Sequence, residues 1–350
     1  VQTSNHSFEM RLLFMSKIKL DVIIKQSGNR TDGFINYGQK ADLSFYQIPV
    51  IIVEGGKPGK TLLVDGAMHG DETEGSEAII KLAAELEGKE FAGTFVGVPA
   101  LNMEAFTIIS RGTLTDGFNL NRVFPGRKDQ YLTHYLAAHY MERVVTFVDA
   151  VINFHGGGDV LHLEPLCAYI PFDGPEDTAA KVSYEMAQAF NVKYLWSQQN
   201  LPFAGITSLE YKKAFNIPTI IPEVGSQCSR FVNRDRDIDI CYNGIKNVMA
   251  YFEMIPPTGQ KPVEDKIHIE LNYLHARNGG LMKLCKRENE FFEAGETLCV
   301  IDDLFGNRVE TLNAPWPGVV IGYWSVPVIH PGDWCSLAGK IIDAPACYKK

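Results

Sequence analysis

The sequence predicts an α/β fold, a mixed and mostly parallel sheet with helices on both faces, followed by a small C-terminal all-β domain. Three observations predict it. Short apolar runs of β character alternate with stretches of helical spacing from about residue 40 to residue 254. The runs are bounded by Gly, Pro or acidic residues, as buried strands are. After IPPTGQKPVEDK (255–266) helical spacing disappears, and short β segments recur between GG, AGE, FGN, PWPG and PGD turns. The boundary falls near 262, which makes residues 1–262 an α/β domain with an N-terminal β lead-in and residues 263–350 a β domain.

Taken in order, DLSFYQIPVIIVEG (42–55) is β-like, the Pro-Gly pair at 58 and 59 predicts a turn, and TLLVDGA (61–67) is a second strand. EGSEAIIKLAAELEG (74–88) carries apolar residues at helical spacing and stops at a Gly. TFVGVPALN (94–102) is strand-like, and DQYLTHYLAAHYMERVVTFVD (129–149) predicts one long amphipathic helix. AVINFH (150–155), CAYIPF (167–172) and PTIIPEVG (218–225) are further β runs. Helices over about 175–190, 207–215 and 235–254 fill the gaps, and the alternation argues layered α/β architecture. In the tail, GGLMKLCKRENEFFEAGETLCVIDDLFGNRVETLNAPWPGVV resembles the hammerhead of lipoyl and biotinyl carriers. The hairpin tip those carriers modify on Lys reads DDLFGN here, so the likeness implies a β module that packs on or caps the main domain, without the carrier chemistry.

Composition narrows the function. With 33 Lys plus Arg against 42 Asp plus Glu, a net charge of −9 and no basic block, the chain is not built to neutralise a phosphate backbone, which argues against nucleic acid. No apolar run approaches the roughly 18 residues of a spanning helix. The LLFM run near the start is too short for a signal core and is followed by Lys17 and Lys19. Asn5 and Asn29 stand in glycosylation-type sequons, which carry little weight without a secretory signal. The seven cysteines (167, 228, 241, 285, 299, 335, 347) are scattered and lack CxxC spacing. They suggest reduced thiols in a cytoplasmic protein rather than a disulfide framework or a thiolate zinc cluster. Homo-oligomer formation stays open.

The chemistry concentrates at strand ends. GAMHGDETEG (66–75) leaves the TLLVD run at once and places His69 and Glu72 three apart among small residues. A polar surface loop would explain that stretch alone. A zinc site needs imidazole nitrogen and carboxylate oxygen with one position left open, and a third ligand must come from elsewhere. His155 is the best candidate, because it ends the VINFH run ahead of three glycines, and open α/β sheets bind ligands at the carboxyl ends of their strands. His134 and His139 lie five apart in a helical stretch and do not share a face, while His162 is near enough in sequence to His155 for a place in the pocket or directly behind its ligands. Glu223 emerges from the apolar IIP run, so it is either functional, as a proton carrier beside activated water, or paired with an arginine such as Arg230. SRGTLTDGFNLNRVFPG (110–126) is a long loop with two arginines, either a surface loop with both solvated or a functional one suited to gripping a carboxylate or stabilising an oxyanion.

Together GAMHGDETEG, RGTLTDGFNLNRVFPG, VINFHGGG and PEVG, in that order and spacing, resemble the succinylglutamate desuccinylase and aspartoacylase family of zinc carboxypeptidase-like hydrolases, over roughly residues 45–255. The resemblance implies one zinc held by His69, Glu72 and His155, with Glu223 as general base and acid. It implies that Arg111 polarises the scissile carbonyl and that Asn121 and Arg122 grip the substrate's α-carboxylate. Relatives often read DLNR where this chain reads NLNR, so Asn119 replaces an Asp that supports a zinc histidine, and Asp116 is the nearby candidate to take over. The implied activity is zinc-dependent removal of an acyl group, acetyl or succinyl, from a small N-acyl amino acid. The NLNR variant and the length are similar to the branch that deacetylates N-acetyl-diaminobutyrate in ectoine breakdown. The rival functions are a metallocarboxypeptidase acting on short peptides and a catalytically silent zinc- or anion-binding protein.

Overall fold

A computed structural model describes residues 16–226 and 231–345. The LLFM run, Asn5, Cys228, Arg230 and Cys347 lie outside the described residues. The first half of the chain runs β1 (Val22–Ser27), β2 (Arg30–Gln39), β3 (Phe45–Glu54), β4 (Gly56–Asp65), α1 (Glu74–Leu86), β5 (Phe91–Val98), α2 (Met103–Ile108), α3 (Leu132–Arg143) and β6 (Ala150–Asn153). It continues through β7 (Leu161–Leu163), β8 (Leu166–Tyr169), α4 (Thr178–Phe190), β9 (Tyr194–Ser197), α5 (Thr207–Phe215), β10 (Thr219–Glu223) and α6 (Arg234–Tyr251). The tail is all β: β11 (Ile267–His275), β12 (Gly280–Leu284), β13 (Phe291–Phe292), β14 (Thr297–Asp302), β15 (Arg308–Asn313), β16 (Gly318–Trp324), β17 (Val328–Ile329) and β18 (Trp334–Ile342).

One large mixed sheet runs in the order β1-β2-β3-β5-β4-β6-β10-β8-β9-β11-β18-β16-β13, with β7 paired to β16. Its centre is mostly parallel: β5, β4, β6 and β10 run together, β8 opposes β10, and β8, β9 and β11 run together again. The central strands are buried on both faces, so they read as near-continuous apolar runs rather than alternations. On one face α1, α4 and α6 pack through Ala78, Ile79, Leu82, Phe190, Ile245 and Val248. On the other, α3 packs through Leu136, Ala137, Tyr140 and Met141 against Leu63, Val96 and Val151. In α1 the buried positions 78, 79, 82, 83 and 86 form one stripe at helical spacing. The tail adds β11, β18 and β16 to the edge of the large sheet, while β15-β14-β12-β17 form a separate four-stranded sheet.

Three local expectations change. The Pro58-Gly59 pair does not turn the chain, because β4 runs through it; the missing proline N–H is accommodated by a register irregularity against β5 between Lys57 and Thr61. The expected helix over 129–149 is shorter, ending at Arg143 and continuing as a tight turn at Val145–Phe147, where the β-branched run Val144, Val145, Thr146 weakens helix. His162 does not join the pocket: on β7, Leu161 and Leu163 face the cavity, and the alternation turns His162 to the opposite side, against the Tyr323 ring and 3.3 Å from Glu288.

Candidate metal and catalytic centre

β4 delivers its last residue, Asp65, to the sheet edge, and the following loop is pinned by backbone bonds from Leu101 and Asn102 to the carbonyls of Gly66 and Ala67. The small residues of GAMHGDETEG are there because the loop is pressed against its neighbours. A Cβ on Gly70 would lie 2.1 Å from the Ala105 carbonyl, and one on Gly75 would lie 2.4 Å from the Phe154 side chain. This close fit fixes His69 and Glu72, both almost fully buried. His155 follows β6, and its backbone N–H donates to the Pro222 carbonyl while Val224 N–H donates to the His155 carbonyl. That single bridge sets His155 and Glu223 side by side at the ends of adjacent parallel strands.

Three donor groups converge. His69 Nδ1 lies 2.9 Å from one oxygen of Glu72, His155 Nδ1 lies 2.9 Å from the other, and the two Nδ1 atoms are 3.2 Å apart. Amide side chains meet the remote nitrogen of each ring. Asn119 Oδ1 accepts from the Asn121 backbone N–H, so it faces His69 Nε2 as an oxygen, and His69 Nε2–H donates to it at 2.9 Å. Asn153 Nδ2 donates to the buried Asp65 carboxylate, which turns Asn153 Oδ1 toward Thr207 Oγ1 at 2.8 Å and toward His155 Nε2 at 3.1 Å. His69 therefore presents its Nδ1 lone pair to the point where the donors meet, and His155 Nδ1 faces the same point, beside Glu72, with Asn153 Oδ1 on the far side of its ring. Two nitrogens and a carboxylate within 4.8 Å of one another make a donor set for one divalent metal ion, and the residues fit such an ion.

Electrostatics says the same. Burial and the Arg111 guanidinium push His69 down to about 4, so it is neutral and ready to ligate at pH 7. Burial opposes charge on His155, yet Glu72 outweighs it and raises the imidazole above its ordinary value. Burial opposes ionisation of Glu72 too, and the two histidines more than offset it, holding the carboxyl well below the usual range. The cluster thus draws positive charge to the point where the donors meet, and a metal ion taking that place would release a proton.

The seven residues to which the family resemblance assigns metal, catalytic or substrate-binding roles line one cavity: His69, Glu72, Arg111, Asn121, Arg122, His155 and Glu223. Arg111 Nη1 donates to Glu72 at 2.9 Å. Arg122 is half-buried, donates to the Asn121 carbonyl at 2.7 Å, and has no ion-pair partner among the described residues. Asn121 is turned inward: its Oδ1 accepts from the Thr207 N–H at 3.0 Å and its Nδ2 sits 3.2 Å from His155 Nε2. Glu223 is pushed up to about 7, by burial first; His155 opposes the shift, Glu72 adds to it, and Arg111 and Arg122 oppose it. Asp116 does not replace the missing Asp, because its carboxylate accepts from Thr133 N–H and Oγ1–H at 2.8 and 2.6 Å; Asn119 itself supports His69.

Sequence reasoning missed Asn153 and Asp65, which brace His155. The signal was present for Asn153, two residues before His155 and so on the same face of the strand. Asp65 is fully buried, accepts from Tyr140 Oη–H at 2.8 Å, and is pushed up to about 6 by burial. Also missed were Phe203, Tyr273 and Trp334, which wall the cavity from the loop after β9 and from the tail strands.

The sheet, the strand-end donors and the buried carboxylates define a metal-dependent hydrolase architecture. A model of the succinylglutamate desuccinylase/aspartoacylase catalytic domain matches residues 58–252, and the chain belongs to this family. It is similar to the N-alpha-acetyl-L-2,4-diaminobutyric acid deacetylase of Halomonas elongata, 26% identical over 305 residues that cover 85% of this chain and 86% of that protein. In structure it is similar to the product-bound ectoine utilization protein EutE of Ruegeria pomeroyi, with TM-score 0.81, 24% identity and coverage of 93% of this chain and 99% of that one. A succinylglutamate desuccinylase from Silicibacter sp. TM1040 superposes with TM-score 0.80 at 24% identity, covering 94% of this chain and 99% of that one. These two likenesses carry the fold, tail strands included.

Proposed function

We propose that this protein is a zinc-dependent amidohydrolase that removes a small acyl group from an N-acyl amino acid. The observation that carries the proposal is the half-buried Arg122 without a carboxylate partner, in the same cavity as a three-donor metal cluster and Glu223. His69 Nδ1, Glu72 and His155 Nδ1 would hold the ion, and two neutral imidazoles with one carboxylate suit zinc. When bound, such an ion supplies Lewis acidity to a carbonyl oxygen and acidifies water.

The chain's own residues do the rest. Arg122 binds the α-carboxylate of the substrate, and Asn121, held by the Thr207 N–H, keeps the 119–122 turn in register with the metal ligands. Arg111, partly exposed and reaching inward to Glu72, donates to the carbonyl oxygen as negative charge develops there. Glu223, poised near neutrality by burial, takes the proton from the attacking water and returns it to the amine nitrogen. The carbonyl carbon gains the hydroxyl oxygen, the C–N bond breaks, and a carboxylic acid and a free amino acid leave. Walls from the tail strands make the cavity a site for small molecules rather than polypeptides. Among the described residues no helix is long and apolar enough to cross a membrane. The free thiols of Cys167, Cys241, Cys285, Cys299 and Cys335 support a cytoplasmic setting.

The test is amine release from N-acetyl and N-succinyl amino acids beside dipeptides, with and without a chelator. Chelator-sensitive release confined to the acyl amino acids is expected. Release from dipeptides alone would make the protein a peptidase.

A further inference from the structure

A row of rings crosses the cavity, and it begins at the carboxylate anchor. The Arg122 guanidinium carbon sits 4.2 Å from the centre of the Phe203 ring, Phe203 meets Tyr273 edge to face at 6.0 Å, and Tyr273 lies 4.5 Å from Trp334. Trp196, Leu161 and Leu163 close the wall. The row joins the loop after β9 to β11 and β18, so the tail strands furnish two of its three rings.

The charges in the cavity are as informative as the rings. Among the described residues its lining carboxylates are Glu72 and Glu223, and its guanidiniums are Arg111 and Arg122. Glu72 is committed to His69, His155 and Arg111, and Glu223 to proton transfer. No further carboxylate stands there for a side-chain ammonium, and no further cation for a second carboxylate. A charged side chain would be desolvated there without a counter-ion, which is strongly unfavourable. The Phe203 ring is already covered by Arg122, and both guanidiniums repel an ammonium placed elsewhere along the row.

We infer that the enzyme selects N-acyl amino acids with an uncharged, apolar side chain, aromatic or branched aliphatic, and that Phe203, Tyr273 and Trp334 form the pocket that selects them. This rests on the deacylase function proposed above. The carboxylate and the side chain of an amino acid leave the same carbon, so anchoring at Arg122 delivers the side chain to the rings. The specificity differs from that in the name of the Halomonas elongata relative, whose diaminobutyric acid carries a second amine.

The experiment compares kcat/KM for N-acetyl-L-phenylalanine, N-acetyl-L-leucine, N-acetylglycine, N-acetyl-L-aspartate and N-acetyl-L-2,4-diaminobutyrate. The phenylalanine and leucine substrates should exceed the two charged ones by on the order of 100-fold. In Trp334→Ala the phenylalanine-to-glycine ratio should fall about tenfold, and Trp334→Phe should restore most of it. Faster turnover of the aspartate or diaminobutyrate substrate than of phenylalanine overturns the inference and leaves the deacylase function standing. Silence with all five and with their N-succinyl counterparts overturns both. Because Trp196 and Trp334 line the cavity, free phenylalanine should change tryptophan emission of the wild-type protein at lower concentration than free diaminobutyrate, whether or not Trp334→Ala folds. The reverse order would overturn the inference.

Discussion

Asn119→Asp should tighten metal binding. Asn119 Oδ1 accepts from His69 Nε2–H at 2.9 Å and from the Asn121 N–H at 2.9 Å, and an aspartate placed on the same atoms keeps both bonds. What changes is charge. A hydrogen bond to an ionised acceptor contributes about 1 kcal/mol more than one between neutral groups, and the carboxylate makes the imidazole a more basic ligand. The half-buried position costs the new charge part of its hydration, which offsets some of the gain. The net expectation is tighter binding by up to about fivefold, at most about 1 kcal/mol. Competition against a chromophoric chelator at fixed pH measures it, with the metal-free unfolding midpoint as a control for the fold. Equal or weaker affinity at an unchanged midpoint would refute the view that Asn119 governs the basicity of His69.

Glu223 is pushed up to about 7 from the ordinary 4.5 by burial, and a base works only when ionised. A divalent ion beside it lowers that value, so kcat/KM of the loaded enzyme should fall about tenfold per pH unit on an acid limb between the two values. A profile flat across that range would contradict the assignment. Arg122→Ala should raise KM for acyl amino acids at least about tenfold while changing little for their amides, which lack the charge it grips; equal effects on both would refute the anchor. Gly70→Ala puts a Cβ 2.1 Å from the Ala105 carbonyl, so the loop must move. A loss of about 2 kcal/mol in denaturant unfolding, with reduced metal content, is expected, and an unchanged variant would show that the loop is not clamped there.

The strand-end ligands were legible because a site at the carboxyl edge of a sheet leaves a local trace: an apolar run, then a polar residue it cannot hide. His69, His155 and Glu223 each carry that trace. Central strands and the α1 stripe were legible for the same reason, since burial dictates their period. Side-chain direction was less so. His162 is near His155 in sequence, yet strand alternation turns it away from the cavity that Leu161 and Leu163 line. The ring row was invisible, because Phe203, Tyr273 and Trp334 are brought together only by pairing of β11 with β9 and β18, a long-range contact that no local period encodes. The bracing of His155 by Asp65 depends likewise on β4 and β6 being neighbours.

Glu223→Gln, assayed for metal and for turnover on the same preparation, tests the account most directly. The glutamine keeps the size of the side chain and removes the proton acceptor, and His69, Glu72 and His155 remain in place to hold the ion. The expected result is about one zinc per chain, as in the wild type, with kcat for an N-acyl amino acid reduced by on the order of 100-fold or more. Loss of the metal, or turnover within a few-fold of wild type, would contradict it.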